Sequence, residues 1–226
     1  MGRYQEAFEA YGRVIKLQPD EPNGPIGASS MLLLLNRPDD ARAHAELAIA
    51  SAPSQAHQAL ALIAVSRQRD DEALRQADLA AAAEPGLPMP AFIRGTLAYN
   101  HQQYEPALGF LLQAQKGYAG RSAQPRDLHF MIGDSLARLA RYKEAEPYLE
   151  EEVRLYPQHV RARAGLAMLY QSMGRNAEAE RVLDDLVRDV PSPDAADTAA
   201  RVWRMFGRPD RADSVADEAR RRLRER

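Results

Sequence analysis

None of the 226 residues is cysteine, which excludes disulfides, thiolate metal sites and cysteine nucleophiles while leaving the compartment open. Lysine is scarce as well: Lys16, Lys116 and Lys143 are all there is within a total of 30 lysines and arginines. That arginine bias, with the heavy use of alanine, reads as a GC-rich bacterial genome. Net charge is nearly absent at −2, so no global field recommends nucleic acid or an anionic membrane as partner. No apolar run nears the roughly 20 residues of a membrane-spanning helix, the longest evident one being Met31 to Leu35. The opening Met1-Gly-Arg-Tyr-Gln-Glu lacks the apolar stretch of a signal peptide. What remains, at 45% apolar, is the composition of an ordinary globular chain.

Self-similarity organises that composition. An alanine recurs in matching contexts at Ala7, Ala41, Ala73, Ala107, Ala145, Ala179 and Ala212, in steps of 34, 32, 34, 38, 34 and 33 residues. Its surroundings agree: YQEAFEAY, PDDARAHA, DDEALRQA, YEPALGFL, YKEAEPYL, NAEAERVL and PDRADSVA. Twelve residues later comes Pro19, Pro53, Pro85, Pro157 or Pro191, with Ala119 and Arg224 as the two misses. Twelve residues earlier the slot is always small: Ser29, Ala61, Gly95, Gly133, Ala167 and Ala200. Antiparallel helices approach closely only where the facing side chains are small, so these slots predict tight hairpins. Nine residues earlier stand Leu32, Ala64, Ala98, Leu136, Tyr170 and Trp203, mostly larger groups suited to filling the space between hairpins. Five residues earlier lie Gly2, Asn36, Gln68, Gln102, Ala140, Gly174 and Gly207, where glycine and asparagine suit the left-handed residue that ends a helix. The prolines are expected to stop each second helix before the next begins.

Small–small contacts, a turn and a proline stop, at a period near 34, resemble the tetratricopeptide repeat (TPR) family over essentially the whole chain. The resemblance implies an all-α fold: a right-handed α-solenoid of antiparallel helical hairpins, a TPR superhelix of about 13 helices. The expected organisation is a single array over 1–226: a half repeat at 1–19, then repeats at about 22–53, 54–87, 88–121, 126–159, 160–192 and 193–226. The large residue expected early in each first helix is weak, although Tyr4, Tyr104 and Tyr142 keep an aromatic in their repeats.

Two irregularities add expectations. The 38-residue step predicts a longer loop around Gly117 to Pro125. At the start, Arg3 to Leu17 supplies only a second helix, whose apolar face (Tyr4, Phe8, Tyr11, Ile15) would be covered on one side. The chain therefore reads as cut from a longer protein or mis-started, and an uncovered face there would permit self-association. The arginine-rich end, Arg220 to Arg226, reads as a polar solvent cap.

Chemistry is hard to find. Among His44, His57, His101, His129 and His159 no two lie three or four apart, so none pairs on one helix face as a metal site would prefer. His57 and His129 occupy equivalent early positions and are expected to pack locally. Glu150-Glu-Glu152 and Asp184-Asp185 read as solvated helix faces without a neighbouring nucleophile or base. No phosphate loop appears. The expectation is therefore no catalytic residue, no cofactor and no metal.

A partner is expected on the concave side, which the resemblance assigns to the first helix of each hairpin. The facing pairs are Ile26/Ser30, Gln58/Leu62, Phe92/Thr96, Phe130/Asp134, Ala164/Met168 and Asp197/Arg201, with Met89, Tyr99, Asn100, Arg138, Arg161 and Arg204 sharing the surface. The middle of that row is aromatic and methionine-rich, and the later part is charged. A branch of the family grips a terminal carboxylate with lysine and asparagine; the corresponding slots hold no lysine, so a carboxylate clamp is not expected. The implied function is a non-catalytic protein–protein interaction scaffold for a protein or peptide, with no nucleic acid and no membrane insertion. The alternative is an accessory TPR segment of a larger bacterial enzyme, such as a transferase or sulfatase-like hydrolase, that recruits substrate or partner.

Overall fold

The structure, a computed structural model, describes residues 2–121 and 124–224, with side chains described over 4–121 and 124–218. Thirteen α-helices and no strand form among the described residues. Helix α1 (Gly2–Leu17) precedes six antiparallel pairs: α2 (Asn23–Leu34) with α3 (Pro38–Leu47), α4 (Pro53–Ser66) with α5 (Asp70–Ala83), α6 (Met89–Asn100) with α7 (Tyr104–Tyr118), α8 (Leu128–Arg138) with α9 (Tyr142–Leu155), α10 (Val160–Ser172) with α11 (Asn176–Asp189), and α12 (Pro193–Met205) with α13 (Pro209–Arg224). They fall into two compact units, Met1–Gln124 and Pro125–Arg226, each a short α-solenoid of stacked hairpins. No described helix is long and apolar enough to cross a membrane.

The turn inside each hairpin is where the repeat predicts it. Asn36, Gln68, Gln102, Ala140, Gly174 and Gly207 all take left-handed backbone, with φ of 58, 56, 60, 57, 75 and 73°. The next amide then donates back to the first helix: Arg37 to the Leu32 carbonyl, Arg69 to Ala64, Gln103 to Ala98, Arg141 to Leu136, Arg175 to Tyr170 and Arg208 to Trp203, each at 2.9 Å. This six-to-one closure satisfies carbonyls that the helix end would otherwise leave unpaired. Alanine is a poor fit there, since its β-carbon crowds the following carbonyl in left-handed backbone and it has no polar group to compensate. Ala140→Gly is expected to raise stability by about 0.5–1 kcal/mol, the relieved strain exceeding the extra unfolded-state entropy of glycine; urea denaturation checks it.

Packing explains the alanine period. Ala41, Ala73, Ala107, Ala145, Ala179 and Ala212 are all wholly buried. On the facing first helices, two glycines sit close against leucines. A β-carbon placed on Gly95 would lie 2.7 Å from Leu111 Cγ, and one on Gly133 would lie 2.7 Å from Leu149 Cγ. In α4–α5 the equivalent positions are held by Ala61 and Ala77, both fully buried. Gly95 and Gly133 stand at slots whose partner position is leucine, whereas α10–α11 holds Ala167 and Leu183 at the equivalent positions, both fully buried.

Helix α1 docks on α2 by the same device. A β-carbon on Gly24 would come within 2.9 Å of Ile15 Cγ1, and one on Gly27 would overlap the Tyr11 ring. Phe8 packs against the cluster of Leu32, Ala41, Ala45, Leu60 and Ile63 and meets His44 edge to face at 5.9 Å. Of the apolar face of α1, Tyr4 is the member left exposed.

The prolines behave as expected at Pro19, Pro85, Pro157 and Pro191, which follow the ends of α1, α5, α9 and α11. Pro53 does not: α3 ends early at Leu47, and Pro53 opens α4, a first-turn position where its missing N–H costs nothing. The connection from α7 to α8 runs over 119–127, against 84–88 and 156–159 elsewhere, in line with the insertion; Ser122 and Ala123 within it lie outside the described residues. The arginine-rich cap at 220–226 likewise falls outside the described side chains.

Candidate functional site

Within each unit the first helices of successive hairpins touch one another, α2 with α4 and α4 with α6, then α8 with α10 and α10 with α12. The second helices do not pair along the stack in this way among the described residues. Each stack is therefore tighter on its first-helix side, and the residues that look outward from that side form one row per unit.

In the first unit the row is mild. Gln58 is half-buried, with its amide near Ser54 Oγ at 3.3 Å, and Leu62 is half-buried beside it. Thr96 donates to the Phe92 carbonyl at 2.9 Å, Tyr99 meets Tyr104 edge to face at 6.0 Å, and Asn100 is exposed. Met89 and Phe92, expected on the partner surface, are instead core: each is only 4% exposed and fills the space between helices. The same unit holds an open recess lined by Leu87, Pro88, Ala91, Arg94, Phe110 and Lys116. In the neighbouring hairpin the corresponding slot is filled, since His57 Nδ1 lies 2.7 Å from Gln76 Oε1. Ala91 is too short to reach Phe110 in that way, a difference that alignment of the repeats could have revealed.

In the second unit the row is charged. Phe130, also 4% exposed, is again core and not an anchor, but the Arg161 guanidinium lies 4.8 Å above its ring. Asp134 is buried at the head of the row and approaches Arg138 at 3.5 Å. Met168 is half-buried against the core around Trp203. Arg201 is exposed and donates to Thr198 Oγ1 at 3.1 Å, with exposed Asp197 one turn before it. Arg204 lies 3.5 Å from Asp213. Behind the row, Tyr170 donates to Glu150 at 2.8 Å under the Arg175 guanidinium. Its phenol is pushed well above the ordinary tyrosine range, chiefly by burial and then by that hydrogen bond to a carboxylate. Arg175 in turn holds the Glu178 carboxyl below its usual range by hydrogen bonding.

His129 stacks on Tyr148 at 6.3 Å, the local packing expected of it. The reading of Glu150-Glu-Glu152 as a solvated face is overturned for its third member. Glu150 is exposed, but Glu152 is wholly buried, facing His159 and the Phe130 amide. Spacing carried the signal: Glu152 lies seven residues after buried Ala145, two turns on and on the same helix face.

The comparisons with known proteins agree with this architecture. Two family models, each described as tetratricopeptide repeat, match residues 1–56 and 136–202, together more than half of the chain. No curated protein matches the sequence. Among solved structures, a chain of the APC/C hetero-tetramer Cut9–Hcn1 superposes with a TM-score of 0.69 at 15% identity, covering 89% of this chain and 40% of that one. A thermophilic TPR protein of Thermus thermophilus gives 0.63 at 23% identity, covering 80% and 98%. YrrB, described as a TPR protein with an unusual peptide-binding site, gives 0.50 at 20% identity, covering 86% and 100%. At such identities the likeness is one of fold. With the hairpin geometry and the two matching family models, this chain belongs to the tetratricopeptide repeat family.

Proposed function

We propose that this chain is a protein-interaction module, and that the first-helix row of its second unit receives a peptide segment in which acidic residues flank apolar ones. The observation that carries this reading is the run of arginines on α8, α10 and α12. Arg138, Arg161, Arg201 and Arg204 are all exposed, against Asp134, which is buried, and Asp197. Among the described residues Arg161 and Arg201 engage a ring and a hydroxyl instead of a carboxylate, so both guanidiniums retain the capacity for charge-assisted bonds to a ligand. Half-buried Met168 between them offers an adaptable apolar contact. The peptide-binding site ascribed to YrrB, a protein of similar fold, supports the class of ligand.

An array of synthetic peptides alternating Asp or Glu with Leu and Phe tests the reading. Wild-type protein is expected to capture members of the array, and Arg161→Glu with Arg201→Glu is expected to weaken capture at least tenfold. Arg181→Glu, an exposed change on second helix α11, should leave capture unchanged. Added salt should weaken the wild-type interaction, because exposed charges are screened. Equal capture by the double variant and the wild type would remove this surface from consideration.

A further inference from the structure

Hairpin α8–α9 breaks its repeat at one core position. Seven residues after the packing alanine stand Val14, Ala48, Ala80, Ala114 and Leu186, all apolar, but in this hairpin the residue is Glu152. Its side chain is fully withdrawn from water, where a carboxylate is tolerated only if its oxygens are matched. Both are. Oε2 accepts the Phe130 amide at 3.3 Å, and Oε1 lies 2.9 Å from His159 Nδ1. On the other side of the same ring, His159 Nε2 lies 3.1 Å from Asp127 Oδ1.

This arrangement asks too much of a neutral imidazole. The ring has one N–H to give and two carboxylates to satisfy. Glu152 has no access to water, so the hydrogen belongs on Nδ1. The Nε2 lone pair then points at a carboxylate oxygen, an opposition that either a bound cation or a second ring proton relieves. Asp127 is diverted to this purpose. It is the N-cap residue of α8, yet its carboxylate makes no capping bond to the helix, and its backbone is left-handed with φ of 69°. His159, 6% exposed, is itself the N-cap residue of α10. Arg163, the nearest buried guanidinium in sequence, is committed to the Pro157 carbonyl at 2.7 Å and to Asp189 at 3.3 Å.

We infer that His159 Nε2 and the Asp127 carboxylate form a binding site for a divalent transition ion of the zinc class, with Glu152 as the carboxylate that orients the ligating histidine. The chemistry fits at each point. Two ligands at about 2.0–2.1 Å from a tetrahedral ion stand about 3.3 Å apart, close to the separation seen. One ligand atom from each of Asp127, Glu152 and His159 can be chosen within 4.8 Å of the others. A carboxylate on the far nitrogen of a metal-bound histidine fixes the tautomer and raises ligand basicity. Two carboxylates and a neutral ring also leave a charge that a dication cancels. Imidazole with carboxylate suits zinc and its neighbours better than calcium or magnesium. Asp127 is 42% exposed in its side chain, which gives the ion a path from solvent and room for water ligands. The ion would join the beginnings of α8 and α10, tying together two successive first helices.

Untagged protein titrated with zinc chloride by calorimetry, with thermal melts in parallel, tests the site. The wild type should bind one equivalent and melt higher with zinc. Asp127→Asn keeps a residue that tolerates left-handed backbone but surrenders a charged ligand, and should lower affinity at least tenfold and abolish the rise in melting temperature. Glu152→Gln should lower affinity 10- to 100-fold, as loss of an orienting carboxylate does. The exposed pair His101–Asp70, with Nε2 to Oδ2 at 2.6 Å, serves as control, and Asp70→Asn should change nothing. Absence of zinc binding by the wild type would show that a proton alone closes the cluster and would overturn the inference. Binding that survives Asp127→Asn, or that disappears with Asp70→Asn, would do the same.

Discussion

Replacing Trp203 with alanine is expected to destabilise the second unit by about 3–5 kcal/mol, the usual cost of emptying a large buried aromatic site. Trp203 is the only tryptophan, and it is wholly buried. It stands among Ala167, Leu183, Leu186, Ala199 and Ala212, with Phe206 edge to face at 6.1 Å and the Arg211 guanidinium 4.8 Å above its ring. The surrounding alanines have no side-chain reach with which to fill the void, so relaxation recovers little. Phenylalanine separates the size of the ring from its polarity. The indole Nε1 is buried without a hydrogen-bond partner among the described residues, and Trp203→Phe removes that unsatisfied donor. It also keeps a ring under Arg211. Trp203→Phe is therefore expected to cost only about 1–2 kcal/mol. Far-ultraviolet circular dichroism during urea denaturation reads both variants without relying on the indole itself. Similar losses for the two would mean that the N–H is satisfied in solution. Because stacked repeats exchange stability with their neighbours, the alanine variant should also broaden the transition.

The hairpins were legible because their constraints are local. A left-handed residue is needed five positions before the packing alanine whatever surrounds it, and Asn36, Gln68 and Gln102 meet that need with residues other than glycine. Small slots opposite the alanines are likewise a contact within one hairpin. The early end of α3 was not legible, since a proline reads equally well as a stop for one helix or the first residue of the next, as Pro53 turned out to be.

The candidate surface was legible only in outline. Spacing places Phe92 and Phe130 on the first-helix face but cannot say how closely the helices around each ring approach, and both are buried to 4% exposure. The charged members Arg161 and Arg201 stay outside because a guanidinium resists desolvation, so the charged end of the row was the readable part. The cluster around Glu152 was hidden for a different reason. Its residues, Asp127, Glu152 and His159, are far apart in sequence and come from three elements, so no short motif announces them.

The tight Gly133–Leu149 contact of α8–α9 can be exchanged for the pair of alanines, Ala61 and Ala77, that α4–α5 holds at the equivalent positions. Gly133→Ala alone is expected to destabilise α8–α9 by about 1–3 kcal/mol, even though alanine is the better helix former. The new β-carbon would meet Leu149 Cγ at 2.7 Å and the Leu149 amide nitrogen at 3.2 Å, and backbone cannot step aside as a side-chain tip can. Leu149→Ala alone is expected to cost about 2–5 kcal/mol by opening a cavity at a fully buried position. Combined, the two changes reproduce the alanine pair, Ala61 and Ala77, that the second hairpin holds at the equivalent positions. The added methyl occupies part of the vacated space, and the clash that penalised it is gone. The double variant should then be more stable than the sum of the single losses predicts, by about 1–3 kcal/mol. Part of the leucine cost will persist, since Leu149 Cδ2 also lies 3.8 Å from where a β-carbon on Gly165 would sit and so helps seat α10. Urea denaturation followed by the emission of Trp203 in the same unit measures the full cycle. Strict additivity would mean that the Gly133–Leu149 contact does not set the spacing of α8 and α9, and that glycine stands there for a reason other than the size of the residue it faces.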